Sequence, residues 1–171
     1  MSTPWPPPEI RLAVESDASA IAAIYNTYVR DSVVTFEDVP VTDAEIARRL
    51  AELVAAGYPW FVAEAENGVL GYAYASPWRT RRGYRFSAES TVYLAPGQGG
   101  RGIGTALYGR LCAALRDQGI HAVMGGIALP NEASVALHEK VGFRKVAHFQ
   151  QTGFKFGRWV DVGYWELLLG S

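Results

Sequence analysis

Tyr93-Leu94-Ala95-Pro96-Gly97-Gln98-Gly99-Gly100-Arg101-Gly102-Ile103-Gly104-Thr105 decides how this chain folds. It joins the short apolar run Ser90–Leu94, which reads as a strand, to a helix marked by Ile103, Leu107, Leu111 and Leu115 at helical spacing. Between 99 and 104, four of six residues are glycine, which lets the backbone turn tightly and lets a ligand approach the amides closely. A helix starting near Gly102 turns its unpaired N–H groups and positive dipole end toward that spot, so the turn reads as an anion site or as a flexible loop without a ligand. Arg101 and the Thr105 hydroxyl would add to an anion site. A P-loop needs Gly-Lys-Ser/Thr, and the chain has no such tripeptide. A dinucleotide fingerprint needs Gly-x-Gly-x-x-Gly, and the sixth position is Thr105 counted from Gly100 and Leu107 counted from Gly102. The turn is therefore read outside both patterns.

Working outward, the strand before the turn is preceded by a loop, Ser76–Tyr84, that carries three arginines. Before that, Trp60–Glu66 and Val69–Ala75 read as two strands joined at Asn67-Gly68. Ile10–Val14 reads as a first strand. Asp17 is placed to cap a helix carrying Ile21, Ile24, Tyr25 and Tyr28, and Thr42-x-x-Glu45 is a capping box opening a second helix to about Ala56. After the turn and its helix come a strand, Ala122–Ile127, a short helix, Asn131–Val141, ended by Gly142, and two closing strands at 143–150 and 160–169. The order is βααβββαβαββ, which predicts an α/β (α+β) domain with a mixed sheet and helices on both faces. Residues 1–8 read as a loosely ordered Pro-rich leader and 9–171 as one domain.

Composition narrows the function classes. The chain has 171 residues, 49% apolar, with a net charge of −1, which leaves no electrostatic footprint for nucleic acid or an anionic membrane. The one cysteine, Cys112, falls within a helical pattern and reads as a buried thiol. Three histidines without paired spacing give no metal signature. No apolar stretch is long enough to span a bilayer and no signal-peptide pattern is present, so a soluble, cytoplasmic protein is expected.

A second segment adds to the turn. Leu129-Pro130-Asn131-Glu132-Ala133-Ser134-Val135-Ala136-Leu137-His138-Glu139-Lys140-Val141-Gly142-Phe143 has Asn131 and Ser134 where a helix starts and Gly142 where it ends. Together the two segments resemble the GNAT superfamily of N-acetyltransferases. The turn is similar to its coenzyme A pyrophosphate loop, Gln/Arg-x-x-Gly-x-Gly/Ala, and the second segment to its Asn-x-x-Ser-x-x-Leu-(His/Tyr)-x-x-x-Gly-Phe. Gly102-Ile103-Gly104 fits the second half of the loop, while Gly99 stands where Arg or Gln is usual. The resemblance implies a GNAT-type sheet, mixed and mostly antiparallel. It also implies acetyl-CoA as the acetyl donor, no metal, and coenzyme binding by Gly99, Gly100, Arg101, Gly102, Ile103, Gly104 and Thr105 with Asn131 and Ser134. Backbone amides of Val92, Tyr93 and Leu94 would bind the pantetheine arm where the sheet splays.

Within that superfamily, the chain most resembles the phosphinothricin and methionine sulfoximine N-acetyltransferases over almost its whole length. The likeness is carried by Tyr58-Pro59-Trp60, Ala75-Ser76-Pro77-Trp78-Arg79-Thr80-Arg81, Tyr84, Glu89-Ser90-Thr91-Val92-Tyr93, Gly153-Phe154-Lys155 and Trp159-x-Asp161-Val162-Gly163-Tyr164-Trp165. It implies acetyl transfer to the α-amine of a small amino acid analogue by direct attack in a ternary complex, and a homodimer. Glu89, at the start of its strand, is either a solvated strand-end charge or, as the resemblance implies, the general base. Arg79, Thr80 and Arg81, with Tyr84 behind them, are either a solvated basic loop or a clamp for the substrate carboxylate. Ser90, Thr91 and Tyr93, with Phe36 and Val162, match further substrate-pocket positions, each of which alone would read as core. His138 is either a half-buried helix residue or a group near the thioester, and Tyr108 either packs on the sheet or protonates the departing thiolate. Two alternatives stay open, a GNAT acetyltransferase acting on another amine (an antibiotic, a polyamine or a protein N-terminus) and a non-catalytic acetyl-CoA-binding regulatory module.

Overall fold

A computed structural model describes residues 6–170, so Met1 to Trp5 of the Pro-rich leader lie outside the described residues. The strands are β1 (Glu9–Leu12), β2 (Trp60–Ala65), β3 (Gly68–Pro77), β4 (Ser87–Leu94), β5 (Ala122–Leu129), β6 (Arg144–Lys155) and β7 (Arg158–Leu168). The α-helices are α1 (Ala18–Asp31), α2 (Asp43–Ala55), α3 (Ile103–Asp117) and α4 (Glu132–Lys140). The predicted element order is the observed one. The seven strands form one sheet in the order β1-β2-β3-β4-β5-β7-β6, antiparallel except where β4 runs parallel to β5.

Boundaries move where a strand continues past its apolar stretch. β4 begins at Ser87, three residues before the expected start, so Glu89 lies within the strand, paired with Ser76 of β3 and Met124 of β5. The β6–β7 hairpin is likewise longer than its apolar segments, because it continues beyond the end of β5, where Leu129 pairs with Asp161, to a tip at Lys155–Arg158. Asp17 precedes α1 but makes no side-chain cap. Its carboxylate instead accepts from Arg11 (2.8 Å) and from the Val14 N–H (2.8 Å), because a guanidinium fork satisfies both its oxygens. Thr42 does cap α2, accepting from Glu45 N–H (3.1 Å), while the Glu45 carboxylate turns outward to Arg48 and Arg49.

Helices cover both faces of the sheet. On one face α3 buries Ile103, Leu107, Leu111 and Leu115 against Phe61, Ala73, Ala88 and Val123. Each of the three leucines is fully buried and contributes about 1.5–3 kcal/mol relative to exposure. Cys112 belongs to this core, and burial pushes its thiol up to about 11, so it is an inert filler. On the other face α1 and α2 set Ile21, Ile24, Tyr25, Val29, Ile46 and Leu50 over Trp60, Val62 and Tyr72. No helix among the described residues is long and apolar enough to cross a membrane.

Candidate active site

The functional geometry comes from a split in the sheet. β4 and β5 pair only over Ser87–Glu89 and Ala122–Met124, then diverge, so the β5-facing edge of β4 from Ser90 to Leu94 has no strand partner. The opening is lined by Glu89, Ser90, Thr91, Val92 and Tyr93 from β4, Gly126, Ile127 and Ala128 from β5, and Tyr108, Asn131, Ser134 and His138 from α3, α4 and the residue before it. Because side chains alternate along a strand, Glu89, Thr91 and Tyr93 point to the α1 face while Ser90, Val92 and Leu94 point to the α3 face. Register carries the same division across β5 and β7, with Gly126 opposite Tyr164 and Ala128 opposite Val162 on the α1 side.

On the α3 face the opening runs into a groove lined by Leu94, Gly99, Gly100, Gly102, Thr105, Ala133, Ala136, Leu137 and Lys140. Gly102 is the residue before α3 and takes a φ of +81°, and Gly100 a φ of +75°, so the turn needs glycine at both positions. Gly104 serves differently, since a Cβ there would come within 2.8 Å of Leu137 Cδ2, so the Leu137 side chain of α4 packs closely against this turn of α3. Arg101 is exposed and donates to the Gln98 side chain (2.7 Å). Asn131 Oδ1 accepts from the Ser134 N–H (3.1 Å), which caps α4 and fixes its start against the groove. The Leu94 carbonyl already accepts from Tyr28 Oη (2.7 Å), so only part of the β4 edge is open to a ligand.

A frame beginning at Gly97 does fit Gly-x-Gly-x-x-Gly, which corrects the exclusion drawn from Gly100 and Gly102. Topology, rather than spacing, removes the dinucleotide reading. All other strand pairs are antiparallel, and β5 ends Ile127-Ala128-Leu129 without the acidic residue that would hold a ribose.

A buried polar chain closes the α3 side of the opening. His138 Nδ1 lies 2.7 Å from the Ser134 carbonyl, which can only accept, so Nδ1 carries the proton of the neutral ring. Nε2 is then an acceptor, and Tyr108 Oη donates to it at 2.8 Å. Ser90 Oγ donates to the Met124 carbonyl (3.2 Å) and lies 3.3 Å from Tyr108 Oη. Burial lowers the His138 pKa, against the opposing effect of the Ser134 bond, and raises that of Tyr108, so both are neutral near pH 7. Gly125 makes the arrangement possible, since a Cβ there would lie 2.4 Å from His138 Nε2.

On the α1 face, Glu89 is half-buried. Burial raises its pKa above the usual carboxylate range, and the nearby Arg79 guanidinium works against that rise. Arg79 lies over the Trp78 ring (4.8 Å), and Trp78 meets Tyr164 edge-on (5.3 Å), which brings this part of the loop to the Glu89 side. Arg79, Thr80, Arg81 and Tyr84 are all exposed and do not line the opening, and the Tyr84 N–H donates to the Arg81 carbonyl (2.9 Å). Tyr93 packs its ring among Tyr25, Tyr28 and Tyr72, so its side chain is core and its backbone borders the split. Phe36 lies over Gly153 of β6, and Val162 is buried on the α1 side of β7. Sequence reasoning missed Val34, Gly126 and Ala128, although Gly125-Gly126 inside a strand was a usable sign of close approach. Among the described residues no group of three or more His, Cys, Asp or Glu is placed to hold a metal ion.

The arrangement offers a carboxylate able to take a proton, a neutral hydroxyl–imidazole pair across from it, and a glycine cradle for an anion. Comparison with known proteins gives the family. Residues 10–163 match the acetyltransferase (GNAT) domain family. The chain is 41% identical to a phosphinothricin N-acetyltransferase of Streptomyces coelicolor, over 92% of this chain and 94% of that protein. It is 38% identical to an L-methionine sulfoximine/L-methionine sulfone acetyltransferase of Salmonella typhimurium, over 94% of each chain. The crystal structure of a GNAT superfamily phosphinothricin acetyltransferase from Sinorhizobium meliloti in complex with acetyl-CoA superposes with a TM-score of 0.91 at 39% identity, covering 95% of this chain and 89% of that one. The chain belongs to the GNAT acetyltransferase family.

Proposed function

We propose that this protein transfers the acetyl group of acetyl-CoA to the α-amine of a small amino acid analogue of the phosphinothricin, methionine sulfoximine or methionine sulfone type. Transfer is by direct attack in a ternary complex. The observation that carries the reading is the split between β4 and β5, which sets Glu89 on one side of an opening and Tyr108 with His138 on the other. The coenzyme pyrophosphate lies on the amides of Gly99 to Gly104 and the pantetheine along the unpaired edge of β4, with Asn131 and Ser134 beside it.

Glu89 removes the ammonium proton, directly or through one water, and its raised pKa brings it nearer the range in which a carboxylate is an effective base. The freed amine attacks the thioester carbonyl, and N–H groups on the unpaired edge of β4 stabilise the negative charge on the carbonyl oxygen. As the C–S bond breaks the nitrogen releases its second proton to solvent, and the Tyr108 hydroxyl turns its hydrogen from His138 Nε2 to the thiolate and regains a proton from solvent. Arg79 pairs with the acceptor's carboxylate, with Arg81, Thr80 and Tyr84 completing that end once substrate draws in their loop. Such an activity detoxifies amino acid analogues and confers herbicide resistance, in the cytoplasm. Phe154, Phe156 and Trp159, exposed on the β6–β7 hairpin, support a homodimer in which a second copy covers them. Residues 9–171 form the catalytic domain, with 1–8 as a leader.

The test is thiol release from acetyl-CoA with phosphinothricin, methionine sulfoximine and methionine sulfone, set against a wider amine panel. Turnover of at least one of the three is expected. Turnover confined to other amines would remove the substrate assignment, and acetyl-CoA binding without turnover of any amine would replace the enzyme with a coenzyme-binding module.

A further inference from the structure

The β6–β7 hairpin runs past the end of β5, and its extended part meets the segment between α1 and α2. Two contacts make the junction. Phe36 sits over Gly153, where a Cβ would come within 2.1 Å of Phe36 Cζ. Lys155, only 4% exposed, donates from Nζ to the Thr35 carbonyl at 2.9 Å, with the Phe156 ring 4.9 Å from the ammonium.

A buried ammonium is unfavourable unless its charge and its donors are answered. The Thr35 carbonyl answers one donor, and the carboxylates of Glu37 and Asp38 lie close enough to favour the charge. Thr35 is buried too, its Oγ1 2.7 Å from Tyr25 Oη and accepting from the Glu37 N–H (3.3 Å), and Glu37 is tied to Arg49 of α2 at 2.7 Å. The segment is thus held to the helices on one side and to the hairpin by Lys155 on the other. Val34, the residue before Thr35, lines the same opening as Glu89. Among the described residues no strand N–H donates to this loop carbonyl, and the Lys155 ammonium at the end of its long stem supplies the donor across the gap.

We propose that Lys155 is a positioning residue for the acceptor site, holding the Val34–Phe36 wall against the Glu89 side of the split from the hairpin. The inference rests on the acceptor assignment made above. It implies that the hairpin, remote from the coenzyme groove, sets the fit of the amine but not of acetyl-CoA.

The test compares Lys155→Met and Lys155→Arg with the wild type, measuring both KM values, kcat and the melting temperature. Loss of the donor should raise the amine KM about tenfold and leave that for acetyl-CoA within about twofold, and Lys155→Arg should restore most of the difference. An unchanged amine KM in folded Lys155→Met, or an equal rise in both KM values, overturns the proposal. Should Lys155→Met fail to fold, Gly153→Ala displaces Phe36 from the same junction and must give the same selective rise, and its absence is again decisive against. A wild type that turns over no amine removes the acceptor assignment itself, and this inference with it, whereas wild-type turnover with insensitive variants removes this inference alone.

Discussion

Glu89 and Ser90 are neighbours on one strand and face opposite halves of the candidate site. The Glu89 side is walled by loops and charges, with Arg79, Trp78 and Tyr164 around it and Val34 at its border. The Ser90 side is neutral and closed by Tyr108 and His138, and it opens into a groove made mostly of backbone and glycine. The two-residue period of a strand sends consecutive side chains to opposite faces, but in a continuous sheet the faces stay separate. Parting β4 from β5 after Glu89 joins them, and in the proposed function this lets one strand bring an amine from one side to a thioester on the other. The proposed acceptor half depends on side chains from distant loops, whereas the proposed coenzyme half depends on a local turn and a helix start. Acceptor choice should therefore change more readily by substitution than coenzyme choice.

Substitutions that separate the two halves test this division. Glu89→Gln keeps the shape and removes the base, so kcat should fall by about 10²–10⁴ while calorimetric acetyl-CoA affinity stays within about twofold. Weakened coenzyme binding with an intact rate would mean that the two faces are not divided as described. Tyr108→Phe should lower kcat by about tenfold or more with the amine KM nearly unchanged, because it removes a proton donor from the coenzyme side. Gly125→Ala, by displacing His138 from Tyr108, should reproduce part of that loss. Steady-state kinetics with both substrates varied would distinguish these from an effect on the acceptor.

The smallest effect is on the pH profile. With Glu89 as the proposed base, activity should need it ionised and be lost as pH falls through its pKa, which burial has raised and Arg79 pulls back down. Arg79→Ala should therefore move the acid limb of kcat/KM to higher pH, in addition to raising the amine KM. A shift to lower pH would show that Arg79 does not act on Glu89.

The backbone features of the proposed coenzyme half were legible in the sequence because their signals are local. Gly100 and Gly102 mark left-handed backbone, Asn131 caps α4, and Gly142, with a φ of +101°, follows its end. The proposed acceptor half was suggested only through resemblance, since Glu89, Arg79, Phe36 and Val162 come from four segments that tertiary contacts bring toward one face. Even there the match was uneven, for Arg79, Thr80, Arg81 and Tyr84 are exposed on their loop. The split was expected only through the resemblance, since the apolar run of β4 looks like any paired strand. Its one local trace lay in the adjacent strand, in Gly125-Gly126. Likewise, nothing in the neighbourhood of Lys155 announced a partner 120 residues away at Thr35. Asp17 showed a similar limit, its capping position legible but its carboxylate claimed by Arg11 from β1.

The central claim is that one opening holds amine and thioester from opposite faces of β4. A crystal structure of the protein with coenzyme A and methionine sulfoximine tests it most directly. The account predicts the sulfur beside Tyr108 and His138, and the acceptor nitrogen on the Glu89 side, within hydrogen-bond reach of its carboxylate or of one bridging water. An acceptor seated on the α3 face, with Glu89 in contact with neither substrate nor bridging water, would contradict it.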